Sequence, residues 1–200
     1  MAEQYFTSKP TSEHRYSKFE TEILGNTVAF HTDSGVFSKD GLDFGTRTLL
    51  EALPELYGRI LDLGCGWGAV GVSVGKKYPE TEIVMSDVNE RAMELAKKNL
   101  TENGVNNATV LKSDAMDDVE GKFDFILTNP PIRAGKAVIY KMFDQASENL
   151  NAGGALYVVI RKQQGAPSAK THLMEKFDHV EVIAKEKSYW IIECKKEADA

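Results

Sequence analysis

Apolar and polar positions change period several times along this chain. Residues 20–33, ETEILGNTVAFHTD, alternate apolar and polar around Gly25-Asn26, which predicts a β-hairpin. In the following GVFSKDGLDFGTRTLLEALPEL the spacing predicts a helix over 46–53. From Arg59 onward, short apolar runs alternate with segments of helical period. RILDLG, EIVMSD, NATVLKSD, FDFILTN and ALYVVIRK read as strands. AVGVSVGKKY, NERAMELAKKNLTENG, KAVIYKMFDQASENL and PSAKTHLMEKF read as helices. NERAMELAKKNLTENG is the most sharply marked: Asn89 can cap it, Gly104 closes it, and Ala92, Met93, Leu95, Ala96 and Leu100 fall mostly on one face. Gly153-Gly154 stand just past the end of KAVIYKMFDQASENL, and a proline lies near the start of PSAKTHLMEKF.

Strand–helix alternation of this kind implies a parallel sheet with helices on both faces. The chain ends differently. HVEVIAKE and SYWIIECKK are strands joined through a few residues around Lys187 and Ser188, too few for a parallel crossover, so they pair antiparallel. The expected fold class is α/β: a doubly wound, mainly parallel seven-stranded sheet with an antiparallel C-terminal hairpin, preceded by a small N-terminal hairpin and helix. Residues 1–57 are expected to form the N-terminal extension and entrance segment and 58–200 the core, together one structural unit. Residues 1–20 are polar and scattered with charge, and are expected on the surface.

Composition narrows the class. No apolar run reaches membrane-spanning length, and MAEQYFTSKP lacks the basic-then-apolar pattern of a signal segment. Cys65 and Cys194 lie far apart in sequence, so a disulfide scaffold is not expected and a cytoplasmic location is. His14, His31, His172 and His179 show no metal-ligand spacing, so no metal is expected. A net charge of −6 argues against a surface coated for non-specific nucleic-acid binding. It leaves room for a local basic face, and Arg133, Lys136, Lys141, Arg161, Lys162 and Lys170 lie in the second half.

DLGCGWGAV, residues 62–70, follows one strand and opens a helix. Gly64, Gly66 and Gly68 let the backbone turn tightly and approach a ligand, and free N–H groups at the helix start favour an electron-rich group. Ligands of open parallel sheets sit beyond the carboxyl ends of the strands, where strand order reverses. Gly64-x-Gly66-x-x-Ala69 also fits the relaxed dinucleotide fingerprint, and Asp87 could bind ribose hydroxyls in either case. Asp62 separates the two. A carboxylate two residues before the first glycine would repel a pyrophosphate and suits a ligand carrying an ammonium and a sulfonium, S-adenosylmethionine. Asp114 is then expected to accept from the adenine amino group, with Ala115 supplying a backbone N–H. Cys65, Val88, Ser113 and Asn129 complete the expected cofactor set. The plainer alternatives are a ligand-free turn, solvated loop acids, and Asp87 as a helix cap. The helix start beside Cys65 could lower its pKa, although a small residue that fits is the simpler reading.

FDFILTNPPIRAGK, residues 123–136, breaks an apolar run at Asn129-Pro130-Pro131-Ile132. Consider a planar exocyclic amine. Its lone pair is delocalised and it has two hydrogens to donate. The Asn129 side-chain oxygen and the Pro130 carbonyl can accept one each, aiming the lone pair at a methyl donor, while Pro131 keeps the turn rigid. Such positioning contributes up to roughly 7–11 kcal/mol without a strong base. The alternative is a turn that only stops a strand.

With these residues in view the chain resembles the class I methyltransferases of the 16S rRNA guanine-N2 type, the RsmC-like "MTS" small-domain family, as a single-domain variant. SGVFSKDGLDFGTRTLLEAL resembles the family's entrance segment, and DLGCGWGAVG, SDVNERAMELAKKN, LTNPPIRAGK and RKQQGAPS its successive core motifs. The resemblance implies a Rossmann-like fold, S-adenosylmethionine as cofactor and methylation of rRNA at guanine N2. It also implies that Phe37, Ser38, Asp43, Phe44 and Gly45 roof the crevice. Two departures stand out. Ile132 occupies a place that is often aromatic and stacks on the flipped base. Well-known rRNA members also carry a second, N-terminal domain, which a chain of this length is expected to lack. RNA would then be held by Phe37, by Arg133 and Lys136 of RAGK, and by Arg161, Lys162, Gln163 and Gln164 of RKQQG, with the target base out of its stack. A protein glutamine amide, a non-catalytic cofactor- or RNA-binding module and a nucleotide-dependent oxidoreductase are the alternatives.

Overall fold

The computed structural model describes residues 8–198. An N-terminal hairpin, β1 (Ser17–Ile23) and β2 (Asn26–Thr32), turns at Leu24 and Gly25, both with positive φ. Helix α1 (Phe44–Ala52) follows. The core then runs β3 (Arg59–Leu63), α2 (Ala69–Lys77), β4 (Glu82–Asp87), α3 (Glu90–Glu102), β5 (Ala108–Lys112), β6 (Phe123–Thr128), α4 (Lys136–Glu148), β7 (Leu150–Arg161), α5 (Ala166–Met174), β8 (His179–Glu186) and β9 (Tyr189–Lys195). The expected surface position holds for 8–20, all of them exposed or half-buried; residues 1–7 lie outside the described residues.

The seven-stranded sheet has the order β5-β4-β3-β6-β7-β9-β8. Strands β3 to β7 pair in parallel, while β9 runs antiparallel to both β7 and β8. From β3 the chain moves outward through β4 and β5, then returns to the other side of β3 as β6. That reversal opens a crevice at the carboxyl ends of β3 and β6, where ligands of such sheets bind.

Strand side chains alternate between faces. Ile60, Ile83, Met85, Tyr157 and Val159 bury one face against the hairpin and α1 to α3. Leu61, Leu63, Val84, Leu156 and Val158 bury the other with α4 and α5. The alternation puts Asp62 on the α2 side.

Two elements begin elsewhere than expected. Helix α1 starts at Phe44 because Asp43 caps it, its carboxylate accepting from the Thr46 N–H at 3.1 Å. Strand β7 starts at Leu150 and runs through Gly153-Gly154, read in the sequence as standing between helix and strand. Its partners shift from Phe123↔Leu150 to Phe125↔Ala155, so extra residues bulge out of β7. A Cβ at Gly154 would meet the carbonyl oxygens of Asn151 at 2.8 Å and Asp124 at 3.0 Å, so only glycine fits.

The hairpin is locked onto α3 by amides. Asn99 accepts from the His31 N–H at 2.7 Å and donates to the His31 carbonyl at 3.0 Å and the Trp67 carbonyl at 2.7 Å. One turn on, Asn103 does the same for Ala29 N–H and C=O. These side chains satisfy the edge of β2 as a neighbouring strand would. The segment before β1 is tied down by Arg91, which donates to the carbonyls of Ser12 at 2.8 Å and Ser34 at 2.9 Å.

Candidate active site

Three glycines shape the loop between β3 and α2. Gly64, Gly66 and Gly68 have φ of 73°, 55° and 101°, the left-handed region that disfavours other residues. A Cβ at Gly66 would meet nothing within 4 Å, so its backbone borders open space. Beside it lies a cavity of about 290 Å³.

Asp62 and Asp87 line this cavity, with the carboxylates of Asp43 and Asp114. Asp62 is 3% exposed and accepts from the Gly71 N–H at 2.8 Å, inside α2. Burial, with the charge of Asp87 adding to it, pushes the Asp62 carboxyl up to about 7. Asp87 ends β4 and accepts from the Gly66 N–H at 2.7 Å and the Asn89 N–H at 2.8 Å. Burial raises its carboxyl as well. Asp87 thus shapes the glycine loop and the entry to α3, as in the helix-cap alternative, and a carboxylate keeps further lone pairs for a ligand.

Every residue expected to hold the cofactor lines this cavity: Asp62, Gly64, Cys65, Gly66, Asp87, Val88, Ser113, Asp114, Ala115 and Asn129. Ala115 has φ of 47°, uncommon outside glycine, which turns the chain after β5. The Asp114 side chain is 68% exposed and stands 3.8 Å from the Lys141 ammonium. Burial, with the charges of Asp87 and Asp62, pushes the Cys65 thiol well above the usual range, which accords with the simpler reading of Cys65 as a small residue that fits. Trp67 and Val70 of the same glycine motif also line the cavity, as does Met142 of α4, which no motif marks in sequence.

The Asn-Pro-Pro turn forms the far wall. Thr128 ends β6 by donating to the Leu63 carbonyl at 2.9 Å, which ties the tips of β6 and β3 together. Asn129 and Pro131 face the cavity. Asn129, Pro130 and Ile132 face a second, outer chamber of about 880 Å³. Phe37, Ser38, Asp43 and Asn129 line both spaces and so mark their boundary. Phe37 is 39% exposed, and its carbonyl accepts from the Trp67 indole N–H at 2.7 Å, fixing the entrance segment to the glycine loop.

Of the residues expected at the substrate, Phe37, Arg133, Arg161 and Gln164 line the outer chamber; Lys136, Lys162 and Gln163 do not. Lys136 opens α4 with its ammonium 5.3 Å from the Tyr140 ring centre, and Lys162 begins the short turn after β7. Phe44 and Gly45, expected in the roof, line neither space. They open α1, where Phe44 packs on Tyr189 with ring centres 5.8 Å apart. A Cβ at Gly45 would lie 2.6 Å from Tyr189 Cε1, so glycine leaves room for that ring. Tyr189 itself lines the outer chamber, with the Arg161 guanidinium 4.9 Å from its ring centre. Nothing near SYWIIECKK in sequence reveals this, because β9 reaches the crevice only by sheet pairing.

Among the described residues, no group of three or more His, Cys, Asp and Glu is placed to hold a metal ion. No helix among them is long and apolar enough to cross a membrane.

A parallel sheet with an antiparallel strand at its last-but-one position, and a glycine loop flanked by strand-end acids, defines a Rossmann-like methyltransferase that uses S-adenosylmethionine. The chain belongs to the methyltransferase small domain family, whose model matches residues 27–193. It is 44% identical to the uncharacterized protein YbxB of Bacillus subtilis over 200 residues, covering 98% of this chain and 100% of that one. It is 38% identical over 155 residues to ribosomal RNA small subunit methyltransferase C of Haemophilus influenzae, covering 75% of this chain and 46% of the relative. The solved structure of the T. thermophilus 16S rRNA N2 G1207 methyltransferase (RsmC), in complex with AdoMet and guanosine, superposes with a TM-score of 0.83 at 28% identity, over 94% of this chain and 52% of that one. The chain thus spans the whole of the Bacillus relative and about half of the RsmC proteins it matches. The residues present fit the cofactor: the glycine loop borders open space, and the buried Asp62 and half-buried Asp87, both with raised pKa, stand where a cationic ligand would relieve them.

Proposed function

We propose that this methyltransferase acts on the exocyclic amine of a guanine in RNA, N2 of a ribosomal guanine, and works in the cytoplasm where that RNA is. The observation that carries the reading is the place of Asn129 at the boundary between the inner cavity and the outer chamber. Asp62 and Asp87 hold the cationic and ribose parts of S-adenosylmethionine on one side, and the acceptor enters from the other. When bound, the cofactor supplies a methyl group: the amine lone pair forms the N–C bond as the C–S pair returns to sulfur, and the surplus proton on nitrogen leaves to water. The Asn129 Oδ1 and the Pro130 carbonyl accept the two amine hydrogens and aim the lone pair. Ile132 packs on the base. Tyr189, with Arg161 over its ring, supplies an aromatic ring to the same chamber. Arg133 and Arg161 meet phosphates or base edges. The RsmC relatives, named for the small-subunit RNA, support this substrate class.

The test is transfer of labelled methyl from S-adenosylmethionine to total RNA, naked 16S rRNA, assembled 30S subunits and protein, all from a knock-out strain, followed by nucleoside mass spectrometry. N2-methylguanosine in one RNA fraction is expected. Label confined to protein would move the acceptor to a glutamine amide.

A further inference from the structure

Asn129 reaches the reaction space through a planar side chain whose two ends differ in chemistry and hardly in shape. Sterics therefore do not choose which end faces the acceptor. In the structure, Nδ2 donates to the Asp43 carboxylate at 3.3 Å and to the Thr46 hydroxyl oxygen at 3.1 Å. Asp43 does choose, because a carboxylate has lone pairs and no hydrogen to give. An amide turned the other way would set its oxygen against the Asp43 oxygen. Asp43 is fixed in turn, since the same oxygen accepts from the Thr46 N–H at 3.1 Å as the cap of α1. Thr46 is 5% exposed, so its hydroxyl stands in a fixed place too.

We propose that Asp43 and Thr46 are positioning residues that set the Asn129 amide with Oδ1, and not Nδ2, toward the acceptor amine. The inference rests on the amine-methyltransferase reading above. An amine brings donors to the clamp. Nδ2 in the place of Oδ1 would put donor against donor and undo it. The N-cap of α1 thereby sets the polarity of a clamp that lies 86 residues away in sequence. It also links the entrance segment to the chemistry by more than a roof.

The test is a mutant cycle on the full chain. Asp43→Ser keeps an N-cap residue but is too short to hold Asn129. Thr46→Val keeps the shape and removes the acceptor. The double variant D43S/T46V leaves Nδ2 without either partner. It is expected to lower kcat on the order of 100-fold, with cofactor affinity by calorimetry and melting temperature close to the parent. In an N129A background the same pair should cost nothing further. D43N, whose side-chain oxygen can take over both bonds, should recover most of the lost rate. A double variant at the parental rate, while N129A is inactive, overturns the positioning role and leaves the reading of the reaction intact. An equal loss in the N129A background overturns it as well, since the effect would then be structural. D43N as slow as D43S would replace orientation by charge, with the same consequence. N129A at the parental rate would instead sink the proposed reaction itself.

Discussion

The inner cavity and the outer chamber share Phe37, Ser38, Asp43 and Asn129, yet they are built by different means. The inner one is a product of the sheet. Much of its wall is built where β3, β4, β5 and β6 leave the ladder, and the Asp62 and Asp87 carboxylates in it are fixed by backbone N–H groups. The outer one is assembled from Ser12, the loop 34–43, the Asn-Pro-Pro turn, the end of β7 and the start of β9. Those segments are far apart in the chain, and the fold brings them together. A cofactor shared by a whole family fits the first mode. An acceptor that differs between members fits the second, because loops can change without disturbing a strand.

The largest expected effect is at the shared boundary. Asn129→Ala removes an acceptor of the amine and leaves Asp62 and Asp87 with the backbone N–H groups that fix them. Turnover should fall on the order of 10²–10³-fold, by analogy with loss of one oriented polar group at a reacting atom. Cofactor affinity should stay near the parent. If both fall together, the two spaces are not separable and the comparison fails.

Next in size is a purely outer change. Tyr189→Ala removes an aromatic ring that lines the outer chamber, and base–aromatic stacking is worth about 1–3 kcal/mol. The RNA KM should rise about tenfold or more, with cofactor affinity unchanged. An unchanged RNA KM would mean that Tyr189 serves only to pack α1 through Phe44 and Gly45.

How far each space could be read in advance follows from the same difference. The strands and most helices were legible because burial imposes a period on each of them separately. Asp62, the glycine loop, Asp87 and Asp114 were legible because each lies at or just past the end of its strand, so position in sequence and position in the crevice are nearly one thing. Tyr189 and Thr46 were not: one reads as an ordinary strand residue, the other as an ordinary helix residue, and only long-range packing gives them a place. Gly153-Gly154 misled for a related reason. Past a helix they read as a stop, whereas the mismatch between β6 and β7 makes them a bulge. The amides Asn99 and Asn103 look like solvent-facing helix positions, and nothing local says that a strand edge lies against them.

A smaller effect probes the inner space by pH. The Asp62 carboxyl is raised from 3.8 to about 7 by burial, with the Asp87 charge in support. The sign for stability is that of a raised acid. As pH climbs between those two values, the unfolded chain ionises first, so the cofactor-free protein loses stability, and above 7 the loss levels off. Cofactor binding runs the other way. A cationic ligand selects the ionised carboxyl, so below 7 a proton must leave on binding, and affinity should weaken by up to about tenfold per pH unit as pH falls. Asp87 and Cys65 share the cavity, so the diagnostic quantity is the difference between the parent and Asp62→Asn. That variant should bind weakly at every pH and lose the dependence. A parental pH profile in Asp62→Asn would assign the titration to Asp87.

The smallest effects separate basic residues that sequence alone groups together. Arg133 and Lys136 lie in one motif, Arg161 and Lys162 in another, and each pair follows a strand end. The structure divides both pairs. Arg161 is the last residue of β7 and, alternating with the buried Ile160, points to the α1 side, where it stacks on Tyr189. Its buried Nε has no hydrogen-bond partner among the described residues. Lys162 begins the next turn, where its backbone N–H donates to the Ser188 carbonyl at 2.8 Å. Lys136 lies over Tyr140 on α4. If RNA phosphates are held at the outer chamber alone, Arg133→Ala and Arg161→Ala should each reduce the slope of log affinity against log salt by about 1. Lys136→Ala and Lys162→Ala should leave that slope unchanged. A drop in slope with Lys136→Ala would show that the acceptor extends across the start of α4, and the acceptor surface would then be wider than the chamber that opens onto Asn129.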